Sequence, residues 1–176
     1  MEEGLVLIPI TVQTLIMLPP PSPSILVLCP EEDYGKKETC RIVPILIGIP
    51  EATQLSLALE DRRLDRPTTH DLFMDALTNL DATVHRVEIY RVDGKVFYSL
   101  LYLQAGDRTI TLDARPSDAI SLAIRQNAPI AMADDVLQKA SFPYIFKNPT
   151  EDQKEMDEFR EFVQNLNPDD FLQDEE

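Results

Sequence analysis

Residues 84–113 leave little choice of fold. Apolar and polar side chains alternate along this run, and the alternation breaks twice, at Asp93-Gly94 and at Ala105-Gly106-Asp107. A period of two is the mark of a strand with one face inward, and Asp-Gly is among the strongest two-residue hairpin signals. Three strands are expected, over 84–92, 95–104 and 108–113, joined as an antiparallel meander. Val87 and Ile89 take one face of the first strand, and Arg86, Glu88 and Tyr90 the other. On the third strand Thr109, Thr111 and Asp113 share a polar face.

The meander runs into a helix. Pro116 suits a first helical turn, Ser117 is placed to cap the amides beyond it, and Ile120, Ala123 and Ile124 make a stripe at helical spacing. Arg115 therefore stands at the positive end of a helix dipole, where a cation is disfavoured unless an anion offsets it. Asp113 and Asp118 flank it and can do so. One reading is a structural clamp, with the guanidinium bidentate to a carboxylate. In the other, Arg115 donates to a phosphate while a neighbouring Asp holds a metal or activates water.

Upstream, residues 5–18 read as a long strand, bent or at a sheet edge near Pro9, which cannot donate to a ladder. The Pro-rich stretch 19–23 is a stiff connector to a short strand at 25–29, and a polar loop at 31–37 leads to a strand over 39–49. Pro50-Glu51 opens a helix over 52–61. Thr68 or Thr69 caps the next, which turns Leu72, Phe73, Ala76, Leu77 and Leu80 inward. Residues 129–133 form a short strand, and a helix follows from Asp134. The expected fold is α+β: a mixed, largely antiparallel sheet or partial barrel with helices packed on it over residues 1–147, followed by an acidic C-terminal helix and tail over 148–176.

Three motifs stand in order along the chain: Val43-Pro44-Ile45-Leu46-Ile47-Gly48 with Glu51-Ala52, then Arg66-Pro67-Thr68-Thr69-His70-Asp71-Leu72, then Asp113-Ala114-Arg115-Pro116-Ser117-Asp118-Ala119-Ile120. Together they resemble the bifunctional nuclease domain family across about residues 5–145. The resemblance implies an α+β domain with DNase and RNase activity. The carboxylates Glu51, Asp71, Glu88, Asp113 and Asp118, with Arg115 and His70, suit metal-assisted phosphodiester hydrolysis. The candidate catalytic residues are thus Glu51, His70, Asp71, Asp113, Arg115 and Asp118, with Glu51, Asp113 and Asp118 as ligands of Mg²⁺ or Mn²⁺. The same residues also allow a non-enzymatic ligand-binding or regulatory module with an acidic partner-binding tail.

Charge bears on that choice. The net charge is −15, but residues 148–176 carry eleven acids against Lys154 and Arg160, so −9 lies there and −6 on the first 147 residues. Nucleic-acid binding leans on Lys and Arg against phosphate, and the one basic cluster is Arg62, Arg63 and Arg66. A short basic strip feeding a metal site fits this balance; a broad electropositive groove does not. No glycine-rich phosphate loop, Gly-x-Ser-x-Gly elbow or Cys-x-x-Cys pair occurs, and Cys29 and Cys40 are too few for a disulfide framework. The apolar run at 5–18 is short of a membrane span and follows an acidic start, so a soluble cytoplasmic chain is expected. The aromatic segment Phe142-Pro143-Tyr144-Ile145-Phe146 should dock on the core or on another subunit, and self-association could run through it or through the C-terminal helix.

Overall fold

A computed structural model describes residues 6–35 and 39–145. The C-terminal helix and tail, Phe146 and the boundary near residue 147 lie outside the described residues.

The meander forms as its alternation requires. β4 (Ala82–Asp93), β5 (Val96–Ala105) and β6 (Arg108–Ala114) pair antiparallel through turns at Gly94 and Gly106, which have φ +57° each, a conformation that glycine adopts without strain. The remaining strands are β1 (Leu7–Ile16), β2 (Ser24–Pro30), β3 (Thr39–Ile47), β7 (Ile130–Ala133) and β8 (Phe142–Ile145). Among the described residues these eight strands make one open sheet in the order β6-β5-β4-β7-β1-β2-β3-β8. Only β4 and β7 run parallel, so the sheet is mixed and largely antiparallel, and the fold is α+β.

β1 departs from expectation. It is interior, yet Pro9 causes no loss, because β1 serves its two neighbours in succession: Leu7 to Pro9 pair with β7, and Ile10 to Ile16 pair with β2. Each stretch of the strand needs donors on one side only. The strand's register irregularity lies between Val12 and Thr14, not at Pro9 where a bend was expected. Every residue of β2 is buried, because Leu26 and Leu28 enter the main core while Ile25 and Val27 enter a second cluster with Ile16, Cys40 and Ile42. Phe142 and Tyr144 of β8 pack against that second cluster.

The described residues form four α-helices: α1 (Ile49–Leu59), α2 (Thr69–Asn79), α3 (Pro116–Gln126) and α4 (Asp134–Ala140). α3 is the central one, lying across β4 and β5 with seven residues from Pro116 to Ala123 buried, and α1 packs beside it. Ile120 and Leu55 meet in the core. Asn127 ends α3 in the left-handed conformation, φ +53°.

Two expectations about helix faces fail. In α2 the buried side is Leu77 with Phe73 and Met74, while Leu72 and Leu80 are 62% and 73% exposed and Ala76 is exposed too. The apolar residues of α2 wrap most of the way round the helix, so their spacing does not select a face. In α3 the N-cap is Arg115, and Ser117 lies buried inside the first turn with no capping bond.

Candidate active site at three helix starts

Three of the four described helices, α1, α2 and α3, begin by one local rule. In each, an acid stands three residues past the cap: Glu51 after Gly48 in α1, Asp71 after Thr68 in α2, and Asp118 after Arg115 in α3. A carboxylate there offsets the exposed amides and the positive dipole end. In α2 the result is a capping box, with Asp71 Oδ2 accepting from the Thr68 N–H at 2.9 Å and from its hydroxyl at 2.7 Å. In α1 the Glu51 carboxylate folds back over Gly48, and a Cβ on Gly48 would collide with Oε2.

Packing then brings these starts together. Arg115 donates from Nε to Asp118 Oδ2 and from Nη1 to Glu51 Oε1, both at 2.8 Å. His70, the residue before Asp71, sets Nε2 3.3 Å from Asp118 Oδ1. Glu51, Arg115, Asp118 and His70 thus form one cluster drawn from α1, α2 and α3. The Arg115 side chain is 65% exposed, and its Nη2 makes no hydrogen bond among the described residues. Hydrogen bonds to Asp118 and then Glu51 hold its pKa above the ordinary arginine value.

His70 is 14% exposed, and burial is the largest influence on its titration. Burial, with Arg125 nearby, lowers its pKa below 6.5 despite the pull of Asp118 and Asp71. That shift favours the neutral imidazole. Its Nδ1 is buried with no hydrogen-bond partner.

Asp71 leaves this cluster. Its Oδ1 accepts from Arg125 Nε at 3.1 Å, and Arg125 also donates from Nη1 to Ser121 Oγ at 2.6 Å and from Nη2 to Gln54 O at 3.4 Å. Burial pushes the Asp71 carboxyl up, but the Thr68 N–H and hydroxyl and the Arg125 guanidinium outweigh it and hold the pKa below the usual carboxylate value. No local signal singles out Arg125, since a cation in a last helical turn is what the dipole favours anyway. Gly48 is legible only once Glu51 is seen to need the space above it.

Asp113 stands apart. Leu112 pairs with the core residue Leu101, so Asp113, opposite Leu100, faces the side of the sheet away from the helices. Glu88 lies on that side as well. It accepts from Arg86 Nε at 2.6 Å and from the Tyr102 hydroxyl at 2.8 Å, with the Arg86 guanidinium 3.7 Å above the Tyr102 ring. Among the described residues no three His, Cys, Asp or Glu side chains stand close enough to share a metal ion, so Glu51, Asp113 and Asp118 are not gathered as one ligand set. Arg62 and Arg63 do not face Asp113 either. With Asp71, Met74, Ile124 and Arg125 they line an open hollow of about 650 Å³ between α1, α2 and the C-terminal end of α3. Cys29 and Cys40 are buried and form no disulfide, and burial, then Cys40 and Asp33, pushes the Cys29 thiol up to about 11.

An open mixed sheet that gathers the starts of α1, α2 and α3 around an exposed guanidinium defines an α+β domain with a charged surface cluster. The chain belongs to the bifunctional nuclease domain family, whose pattern matches residues 35–144. An uncharacterized protein of Mycobacterium tuberculosis is 33% identical over 136 residues, which are 74% of this chain and 81% of that protein. Bifunctional nuclease 1 of Oryza sativa subsp. indica is 28% identical over 122 residues, 68% of this chain but 37% of its own length. Bifunctional nuclease 2 of Arabidopsis thaliana is 28% identical over 92 residues, 51% of this chain and 28% of its own. Among the described residues no helix is long and apolar enough to cross a membrane.

Proposed function

We propose that the domain hydrolyses phosphodiester bonds of nucleic acid at the cluster formed by Glu51, His70, Arg115 and Asp118. The observation that carries this reading is the position of Arg115, an exposed guanidinium with an unengaged nitrogen where three positive helix ends converge. The names of the plant relatives point to the same chemistry.

In this reading Arg115 takes a non-bridging phosphate oxygen and stabilises the charge that grows on it. Glu51 and Asp118 fix the guanidinium from two sides. Neutral His70 turns Nε2 toward Asp118 and buries its other ring nitrogen, so it acts by positioning that carboxylate. Glu51 and Asp118 are also the pair that would hold Mg²⁺ or Mn²⁺, because Mg²⁺ usually takes one or two protein carboxylates and keeps several waters. Such an ion would supply a more acidic water and a polarised phosphoryl group. Asp71 acts at one remove, capping α2 and holding Arg125. Asp113, on the far face, stays outside the reaction.

A second reading has support of its own, since Arg115 ties α1 to α3 through two ion pairs and would do so in a protein that only binds. Cleavage of labelled DNA and RNA oligonucleotides separates the two, with Mg²⁺, with Mn²⁺ and with chelator. Arg115→Ala is expected to slow cleavage by about 100-fold or more, as loss of a charge-stabilising donor does. Asp113→Asn should stay close to wild type. A wild type no faster than Arg115→Ala, with both folded by circular dichroism, rules out the enzyme reading.

A further inference from the structure

The sheet has two edges, and they are built differently. β8 is four residues long and includes Pro143, so it presents a short edge with a donor missing. β6, at the other end, runs for seven residues without proline, lysine or bulge and pairs in unbroken register with β5. Natural sheets rarely leave such an edge open.

The phase of its backbone follows from the turn. Ala105 and Arg108 close a two-residue loop, so they form a hydrogen-bonded pair, and the bonds to β5 fall on Arg108, Ile110, Leu112 and Ala114. The Ser99 hydroxyl donates to Ala114 O at 2.6 Å, in agreement with that phase. The N–H and C=O groups of Thr109, Thr111 and Asp113 therefore point to the open edge.

We propose that β6 pairs antiparallel with β6 of a second copy of this chain about a two-fold axis at Thr111, making one continuous sheet. An axis perpendicular to the sheet keeps both helix-bearing faces on the same side, so only residues that share a face can stand opposite each other. The register that pairs all seven residues sets Thr111 against Thr111 of the partner subunit and Ile110 against Leu112 of the partner subunit. Ile110 and Leu112 are each 38% exposed on the helix-bearing face, so this register covers apolar surface that the described residues of one chain leave exposed. Charge agrees as well. Arg108 falls opposite Ala114 of the partner subunit and Asp113 opposite Thr109 of the partner subunit, so no like charges stand directly opposite in this register. The edge is complementary to itself, which selects a second copy over a foreign strand, and the pairing holds whether or not the chain cleaves nucleic acid.

Sedimentation of the full chain tests it, with a dimer expected. Thr111→Pro removes an outward N–H without breaking the β5 ladder, and should give monomers that still unfold cooperatively. Thr111→Cys should form an intersubunit disulfide under mild oxidation, since Cys29 and Cys40 are buried and a pair directly opposite falls within disulfide reach. Thr109→Cys, which faces Asp113 of the partner subunit, should not. A monomeric wild type overturns the proposal. So does a dimer that survives Thr111→Pro and crosslinks no better through Thr111→Cys than through Thr109→Cys.

Discussion

At the scale of single residues, the chemistry turns on who holds whom. Arg115 sits where a helix dipole disfavours a cation, and it is kept there by an acid from its own helix and an acid from α1. The need for an offset was readable in the sequence, and so was Asp118. That the second acid is Glu51 and not Asp113 was not, because strand alternation sends Asp113 to the opposite face while chain folding brings Glu51 from far upstream. His70 carries a prediction of its own. Its folded pKa lies below the 6.5 of the free side chain, so the unfolded chain binds the proton first on acidification. The stability this contributes is full above about pH 6.5 and is lost as pH falls through the folded value. Urea unfolding from about pH 7.5 down to about pH 5 should show wild type losing more stability than His70→Gln; parallel curves would contradict the assignment.

At the scale of elements, Arg125 is the staple. One guanidinium reaches Asp71 in α2, Gln54 in α1 and Ser121 in its own helix, all half-buried or buried. Replacing it with Met leaves Asp71 without its cation and removes the donor to Ser121 Oγ and to Gln54. The expected loss is roughly 2 kcal/mol in chemical denaturation, in the range for hydrogen bonds to charged groups. Because Asp71 also caps α2 beside His70, exchange of the amides in the first turn of α2 should quicken more than in α1 or α4. An even increase across all helices would argue for a global effect instead. The helices themselves were legible from Pro50, Thr68 and Pro116 at their starts, each a residue that suits the entry to a helix. Their buried faces were less so: the apolar residues of α2 are spread around the helix, and only contact with α3 and β4 selects Phe73 and Leu77 over Leu72 and Leu80.

At the scale of the whole molecule, charge sets how nucleic acid is met. With −9 of the net −15 carried by residues 148–176, a polyanion approaches against a repulsive field from that end. Changing the eleven acids there to their amides brings the net charge to −4, the sum of −15 and +11. Oligonucleotide affinity should then rise at low salt, and the difference from wild type should close as salt screens the field. Unchanged affinity at low salt would mean that the segment has no part in binding. The local grammar of this protein is written in its sequence: the meander through residues 84–113, the glycine turns, and the acid that follows each helix cap. These depend on alternation, φ preference and dipole, which act over a few residues. Only the tertiary structure decided that β1 lies inside the sheet, that Arg115 joins Glu51, and that Arg125 joins Asp71. Those pairings join residues 64 and 54 positions apart, and nothing within either segment encodes the distance across the fold.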